Sequence, residues 1–431
     1  MSLDLCSVLV AARAGAHKGG IASLCTAHPG VIEVALAHGQ AAGTPVLIEA
    51  TCNQVNQDGG YTGMRPADFR RLVEDAAART GFDTARLLLG GDHLGPSPWR
   101  HLPAVTALAK AEEMTAAYVN AGFEKLHLDT SMGCAGEARH LDHELVAERA
   151  SRLVEVAESV RARAHGPAPV YVVGTEVPTP GGAVANDAML DVTTPASVTE
   201  TLEAHRSAFA RRGLDAAFER VIGVVVQPGV EFGDEEVVHY DRERACPLIT
   251  HLATLPPLVF EAHSTDYQTV EGLVDLVTDG FAIVKVGPWL TFALREALYG
   301  LDHIACELHP AERTESLRTT MERVMRARPE YWEHHYIGSA TERRVKRHFS
   351  YSDRIRYYWS APEAVRAVHQ LMSILGATPI PPTLVSQYLH GPFAHVASGH
   401  VSATAPVLLA ASVRAVLDTY AVATRTPVLT T

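Results

Sequence analysis

Side chains that can bind metals and transfer protons are concentrated directly after one apolar run of the sequence. The run is Leu258–Phe260, and the polar residues that follow it are Glu261, His263, Ser264, Thr265 and Asp266. Barrel enzymes present their chemistry in this way, on residues at the carboxyl end of a buried strand. We therefore expect the active site at this point of the fold.

The other short apolar runs also end in acids, amides or imidazoles. In chain order, these residues are Cys25 and His28; Glu49, Asn53 and Gln54; Asp92 and His93; His127, Asp129 and Ser131; Glu176; Gln227 and Glu231; and, last, Lys285 and Gly287. Imidazole and carboxylate suit zinc, manganese or iron, so a ring of such groups at one mouth predicts a divalent metal site. We predict that His93, Glu176 and His263 are the ligands and that they leave one position open for a substrate oxygen.

Carboxylates near these ligands are the catalytic candidates. Asp92, Asp129 and Asp266 are expected to transfer protons or to orient the ligands, and Glu176 is a candidate in both sets. Simpler roles stay open, since Asp92 can cap a helix and a histidine can be merely hydrogen-bonded. Strand alternation places His127 nearer the core and Asp129 nearer the mouth.

A further set of residues is predicted to bind the substrate. The set is Glu49, Asn53, Gln227, Ser264, Thr265, Gly287, Thr291 and Arg354. Its members from Ser264 to Thr291 follow the seventh and eighth runs, where barrels often hold phosphate on backbone amides at a helix start. An ordinary strand-to-helix turn is the alternative there, and Glu49 can simply pair with a neighbour. Arg354 and Arg356 either reach over the mouth as a lid or lie on a solvated helix face.

The spacing of the apolar runs predicts the elements that position these groups. The runs are Ile21–Thr26, Val46–Thr51, Leu87–Gly91, Lys125–Asp129, Val170–Val173, Val221–Val226, Leu258–Phe260 and Ile283–Val286. Amphipathic segments separate them, and strands that alternate with helices form a parallel sheet. Eight strands favour a closed (β/α)8 TIM barrel over an open doubly wound sheet.

Beyond about Leu301 the alternation stops and helical patterns follow. The predicted helices are Thr314–Ala327, Glu342–Phe349, Pro362–Leu375 and Val407–Thr424. We therefore predict two parts, a barrel domain over residues 1–300 and a helical extension over residues 301–431 that packs on the barrel.

Composition narrows the class of protein. The 431 residues carry a formal charge of −12, which argues against nucleic-acid or anionic-membrane binding because both need clustered positive charge. The six cysteines are scattered, so we expect neither disulfides nor cysteine zinc sites. Asp4 stands where a secretory signal needs positive charge, and no stretch approaches the roughly 18 apolar residues of a membrane span. We therefore expect a cytoplasmic protein. Neither the Rossmann pattern of dinucleotide-binding proteins nor the Walker pattern of P-loop proteins is present.

Several stretches together resemble the Z-subunit (GatZ/KbaZ) family of class II tagatose-bisphosphate aldolases. They are Ile48–Val55, Gly59–Met64, Gly90–Pro96, Gly174–Pro178, Val225–Phe232, Glu261–Gln268, Lys285–Pro288 and Tyr351–Arg354, and they span nearly the whole chain. The resemblance implies a TIM barrel with a C-terminal helical extension, acting on ketohexose phosphates of galactitol or N-acetylgalactosamine catabolism. One kind of member is an accessory partner of a catalytic aldolase Y subunit. The other is a metal-dependent epimerase that inverts C4 of tagatose 6-phosphate or of free tagatose.

The resemblance also implies roles for individual residues. His93 and His263 match metal-binding histidines of the catalytic class II aldolases, and Ser264 matches a phosphate-contacting serine. No third metal histidine stands near Glu176, which would have to substitute, and Gly287 replaces an asparagine, so ordinary aldolase activity is not expected. The implied cofactor is Zn²⁺, with Mn²⁺, Ni²⁺ or Co²⁺ as alternatives.

These considerations predict an epimerase that uses retro-aldol and aldol chemistry, because the C4 hydrogen of a 2-ketose is not alpha to the carbonyl. The accessory aldolase subunit is the alternative. The expected partner is a ketose or ketose phosphate, and homo-oligomer formation stays open.

Overall fold

Eight parallel strands close into a barrel. They are β1 Ile21–Cys25, β2 Val46–Thr51, β3 Leu87–Leu94, β4 Lys125–Leu128, β5 Val170–Val173, β6 Val221–Val226, β7 Val259–Ala262 and β8 Ile283–Val286. Strands that are neighbours in sequence are neighbours in the barrel, and β8 pairs with β1 to close it. The predicted (β/α)8 barrel with C-terminal helices is confirmed. The structure, a computed structural model, describes residues 19–164, 168–175, 177, 190–312, 315–399 and 402–424.

Helices surround the barrel and continue beyond it. In chain order they are α1 Pro29–Ala42, α2 Pro66–Thr80, α3 Ala104–Asn120, α4 His143–Ala164, α5 Pro195–Arg211, α6 Asp215–Phe218, α7 Arg242–Leu252, α8 Val270–Thr278, α9 Pro288–Leu308, α10 Leu317–Ala327, α11 Ala340–Phe349, α12 Pro362–Leu375, α13 Pro382–Tyr388, α14 His390–Ala397 and α15 Ala405–Thr424. Local signals set several boundaries. Proline begins α1 and α2, and the glycines that follow these two helices, Gly43 and Gly81, adopt the left-handed conformation with φ of 68°.

Strand alternation fills the barrel interior with successive layers. Near the amino ends of the strands, the inward side chains form an apolar layer that includes Leu47, Val259 and Ile283. Two residues farther along the same strands the inward side chains are those of Glu49, Glu261 and Lys285. Gly90 on β3 makes room for this layer, because a Cβ at Gly90 would lie 2.7 Å from the carboxyl group of Glu49. A charged layer therefore lies directly below the mouth.

The C-terminal helices are packed on the barrel. Helix α15 packs against α1, α8 and α9, and the amide of Gly20 beside β1 donates to the carbonyl of Thr424 at 2.8 Å. By length and composition alone α15 is long and apolar enough to cross a membrane, the one such helix in the described part of the chain. Helix α9 follows β8 and runs past residue 300 to Leu308, so the domain division at residue 300, which remains a prediction, falls inside a helix.

Most predicted elements of the extension agree with the structure. Helix α12 has the predicted bounds, Pro362–Leu375, and α11 and α15 each begin two residues earlier than predicted. Helices α13 and α14 were not predicted, because their prolines and Gly391 are typical of a loop. The apolar start of the chain, whose sequence favours a first helix, lies outside the described residues.

Candidate active site

Three imidazoles meet at the carboxyl end of the barrel. His93 lies on β3, His127 on β4 and His263 directly after β7, and the ring centroids of each pair are 4.9 Å apart. The fold thus brings together His93 and His263, the two histidines that the sequence analysis assigned to a metal. His127 completes the triangle. The sequence predicted that His127 lies nearer the core, and its side chain is indeed fully buried. At this height, however, the buried interior of the barrel is part of the site.

Each imidazole has a carboxylate beside one of its ring nitrogens. The pairs are His93 Nδ1 with Asp129 Oδ2 at 2.8 Å, His127 Nδ1 with Asp92 Oδ1 at 2.8 Å, and His263 Nε2 with Glu261 Oε1 at 2.9 Å. Among the described residues, the opposite nitrogen of each ring makes no hydrogen bond, and Nε2 of His127 is buried without a partner. The His93 amide donates to Nδ1 of His127 at 3.1 Å in the tautomer whose Nδ1 is unprotonated. In the other tautomer Nδ1–H donates to Asp92, and Nε2 keeps the lone pair that a metal needs. Carboxylate–histidine pairs of this kind orient metal ligands in proteins.

The protonation of the three rings follows from their surroundings. Burial lowers the pKa of His263 to about 3, and Lys285 adds to this effect. Burial also lowers the pKa of His127. For His93, burial acts in the same direction, but Asp92 and Asp129 outweigh it and raise the pKa. His127 and His263 are therefore neutral near pH 7, which is the form that binds a metal.

Two buried lysines neutralise part of the negative charge below the imidazoles. Lys125 Nζ lies 2.6 Å from Glu49 and 2.7 Å from Glu261, and Lys285 Nζ lies 2.9 Å from Glu49, 3.4 Å from Glu261 and in contact with Asp92. With Asp129 included, four carboxylates face two ammonium groups, which leaves two negative charges when the imidazoles are neutral. A buried cluster with this excess fits a divalent cation.

The donor set supports the same conclusion. Asp92, His127, Glu261 and His263 each offer an atom within 4.8 Å of the others, and Cys25, Glu49 and Asp92 form a second such group. The second group suits a metal less well, because the ammonium group of Lys285 already lies 2.9 Å from Glu49 and in contact with Asp92. Glu176, the third ligand predicted from the sequence, lies outside the described residues.

A cavity of about 70 Å³ opens above these groups. The predicted residues that line it are Asn53, Asp92, His93, His263, Ser264, Asp266 and Gly287. Tyr61 and Tyr357, which sequence reasoning did not select, also line it. So do Lys285, which was named only as a strand-end residue, and Arg356, which was named only as a possible lid. Polar residues at strand ends are visible in a sequence, whereas residues from loops and from the extension reach the mouth only through tertiary packing.

Other predicted residues lie away from this cavity. Asp129 accepts hydrogen bonds from Ser131 and contacts His93, so it holds the His93 imidazole in place. Burial opposes the ionisation of Asp129, but the bond with His93 lowers its pKa to about 2. Glu49 is buried between the two lysines, the simpler role that the sequence left open. Gln227 and Thr265 serve the local structure, since Gln227 accepts from the amides of its own loop and Thr265 donates to the carbonyl of Lys285.

The helix start expected to hold phosphate already carries a carboxylate. Asp266 accepts from the amides of Gly287 at 2.9 Å and Trp289 at 2.8 Å, and burial raises the pKa of Asp266 to about 6 despite these bonds. Thr291, one turn into α9, lines a neighbouring cavity and donates to Asp353 at 2.7 Å. The geometry therefore corrects one expectation, because these amides bind Asp266 and are not free for an anion. Asp266 caps the helix and also lines the cavity, so its role in proton transfer stays a prediction.

The arginine at the mouth is Arg356 and not the predicted Arg354. Arg354 is 5 % exposed, donates to the carbonyl of Tyr331 and lies outside the cavity lining. Arg356, two residues later in the 3-10 segment Arg354–Tyr358, lines the cavity. The two were not separable in the sequence because the direction of each side chain depends on how this segment packs against the barrel.

Strained backbone is concentrated around the mouth. In the described residues, the non-glycine residues with positive φ are His93 at 49°, Ser264 at 53°, Tyr267 at 62° and Asp353 at 43°. A bulge in β3 between Gly91 and Leu94 turns His93 into this conformation. Such strain persists where the surrounding structure enforces it, and it is common at functional sites.

Comparison with known proteins identifies the family of the chain. The family model described as "D-tagatose-1,6-bisphosphate aldolase subunit GatZ/KbaZ-like" matches residues 6–425. The chain belongs to this family. It is similar to a D-tagatose 6-phosphate 4-epimerase of Agrobacterium fabrum, with 51% identity over 420 residues that cover 96% of this chain and 97% of that protein.

A solved structure is similar over the same length. It is described as a probable tagatose 6 phosphate kinase from Sinorhizobium meliloti 1021, and it matches with a TM-score of 0.87 and 56% identity over 94% of this chain and 100% of that one. Together, the family and the epimerase relative support an enzyme of the aldolase-like superfamily.

Proposed function

We propose that the chain is a ketohexose phosphate 4-epimerase that interconverts D-tagatose 6-phosphate and D-fructose 6-phosphate with a divalent metal ion. The observation that carries the proposal is the triangle of carboxylate-backed imidazoles at the mouth, with Asp92 beside it on the cavity wall. The similarity to a D-tagatose 6-phosphate 4-epimerase supports the same substrate. A cytoplasmic location stays a prediction.

His93, His127 and His263 would hold the metal through the ring nitrogens that face away from their carboxylates. Three nitrogen ligands suit Zn²⁺, and Mn²⁺, Co²⁺ and Ni²⁺ are the alternatives. When bound, a divalent cation supplies a Lewis acid that stabilises negative charge on substrate oxygens. The role of Glu176 as a further ligand remains a prediction.

Inversion at C4 needs no proton removal from carbon. Cleavage of the C3–C4 bond leaves an enediolate of the three-carbon fragment C1–C3 and an aldehyde at C4. Rotation of the aldehyde and re-formation of the same bond on its other face give the epimer, so atoms and electrons balance without an oxidant.

Asp92 is the proposed general base for this cleavage. It lines the cavity, and although burial disfavours its charge, His93 and Lys285 lower its pKa well below the ordinary value. Asp92 therefore accepts the C4 hydroxyl proton only as the bond breaks, and returns it to the new C4 oxygen when the bond re-forms. Asp129 fixes the orientation of His93 throughout.

The family description names a subunit of an aldolase. The alternative proposal is that the chain is an accessory subunit that works with a catalytic Y subunit. The two proposals differ in whether this chain alone turns over sugar. One similar structure is described as a probable kinase. The assay therefore omits ATP, so that phosphoryl transfer does not contribute to product formation.

The deciding experiment uses the purified chain without any partner. Incubation with D-tagatose 6-phosphate and a divalent metal, without ATP, should give D-fructose 6-phosphate, and free D-tagatose is assayed in parallel. Failure to form product despite bound metal, combined with an increase in the activity of an added aldolase Y subunit, would favour the accessory role.

A further inference from the structure

Arg356 differs from the other cationic side chain on the cavity wall in having no carboxylate partner. Lys285 lies within 4.0 Å of three carboxylates, so its charge is neutralised locally. No ion pair of Arg356 is found among the described residues, although its guanidinium lines the cavity. Arg356 thus provides a positive charge at the mouth that no carboxylate of the described residues contacts within 4.0 Å, although Asp266 and Asp353 attract it from farther away.

The guanidinium of Arg356 is held in place with part of its donor capacity unused. Nη1 donates to the backbone carbonyls of Ser352 and Asp353, and Nη2 donates to the hydroxyl of Tyr357 at 3.2 Å. A guanidinium has five N–H groups. Within the described chain, the Nε–H and one Nη2–H therefore lack a protein acceptor. These two donors form the fork that binds phosphate oxygens in pairs.

Aromatic rings make the position of Arg356 rigid. The guanidinium carbon lies 4.6 Å from the ring centre of Tyr357, and that ring stacks on Tyr331 at 4.9 Å and meets Tyr61 edge-on at 4.5 Å. Tyr61 comes from the barrel, whereas the other rings come from the extension. A donor that is fixed before the ligand arrives loses less conformational entropy on binding.

The usual alternative for phosphate in a barrel is the start of the helix after β8. Here the amides of Gly287 and Trp289 bind Asp266, and a phosphate at that position would meet this carboxylate. Repulsion between two anions disfavours the helix start. Among the described residues, Arg356 is then the cation on the cavity wall that no carboxylate contacts, and Ser264 adds a neutral hydroxyl to the same wall.

We propose that Arg356 binds the phosphate group of the sugar and makes the enzyme select a phosphorylated ketose over the free sugar. This inference rests on the proposed function for the identity of the sugar. The binding of phosphate at Arg356 is independent of turnover.

Calorimetric titration with the metal-loaded full chain tests the inference. The ligands are D-tagatose 6-phosphate, free D-tagatose and inorganic phosphate, and the proteins are wild type, Arg356→Gln and the control Arg366→Gln, which removes the same charge from an exposed position on α12. We expect Arg356→Gln to weaken D-tagatose 6-phosphate binding by about 10- to 100-fold, because one charged pair of hydrogen bonds is lost. Free D-tagatose should bind both variants as it binds wild type.

Each result decides the proposal. The proposal is overturned if Arg356→Gln and Arg366→Gln bind D-tagatose 6-phosphate equally well. It is also overturned if Arg356→Gln weakens the binding of free D-tagatose as much as that of D-tagatose 6-phosphate. Arg356→Lys, which keeps the charge but not the paired N–H donors, is used if Arg356→Gln does not fold. We expect Arg356→Lys to weaken D-tagatose 6-phosphate binding less than Arg356→Gln and to leave free D-tagatose binding unchanged. If wild type binds phosphate through Arg356 but epimerises neither sugar, the subsite stands and the proposed function fails.

Discussion

Lys125→Met should destabilise the protein strongly, although Lys125 touches no part of the cavity. Its side chain is 1% exposed, and its ammonium group joins Glu49 and Glu261, whose side chains are 0% exposed. Methionine fills a similar volume but leaves the two buried carboxylates with Lys285 as their only cationic partner in the described structure.

The expected loss follows from the cost of an unpaired buried charge. Removal of one member of a buried ion pair costs about 3–5 kcal/mol. An unfolding entropy of about 2.1 cal/mol/K per residue gives about 0.9 kcal/mol/K for a chain of this length, so Tm should fall by about 3–6 °C. A matched control is Lys110→Met, whose side chain is 33% exposed and pairs with the exposed Asp58, and a pair of this kind contributes at most about 1 kcal/mol.

Calorimetric melting at several pH values tests this reasoning. Burial would raise the pKa of Glu261, but Lys125 and Lys285 lower it well below its ordinary value, so in wild type this group stabilises the fold above its unfolded pKa and the effect is lost as pH falls. Without Lys125 this contribution shrinks, and the difference between variant and wild type should narrow toward acid pH. Equal Tm values for Lys125→Met and Lys110→Met at pH 7 would refute the proposed charge layer.

Other predictions concern single residues of the site. His127→Ala should reduce the metal content of purified protein by more than tenfold, measured by elemental analysis, whereas retention of a full equivalent would exclude His127 as a ligand. Asp266→Asn should raise stability above about pH 6 and change little below about pH 4. The folded pKa of about 6 exceeds the unfolded value, so ionisation of Asp266 destabilises the folded state. A melting series that shows no pH-dependent difference would contradict this. Gly90→Ala should cost about 1–3 kcal/mol in denaturant melts, since the new Cβ lies 2.7 Å from the carboxyl group of Glu49, and an unchanged midpoint would show that Glu49 moves freely.

The fold was predictable because each strand is marked by a short pattern of residues that are neighbours in the sequence. Apolar runs with polar exits mark all eight strands, and β2, β5, β6 and β8 have the predicted bounds. The position of His93 and His263 at one mouth follows from parallel strands alone, whose carboxyl ends meet at one end of a barrel.

The rest of the site depends on distances that a sequence does not contain. The height of His127 in the barrel relative to the mouth is set by strand register. The pairing of Lys125 with Glu49 joins residues that are 76 positions apart. Arg356 reaches the cavity only because the extension packs over the barrel, and its distinction from Arg354 depends on the path of one 3-10 segment.

The most direct measurement for the central claim is NMR of the reaction in D2O with metal-loaded and metal-stripped protein. The account predicts that loaded protein converts D-tagatose 6-phosphate to D-fructose 6-phosphate with hydrogen retained at C4, and that stripped protein is inactive until metal is restored. Deuterium at C4, or activity unchanged by metal removal, would contradict it.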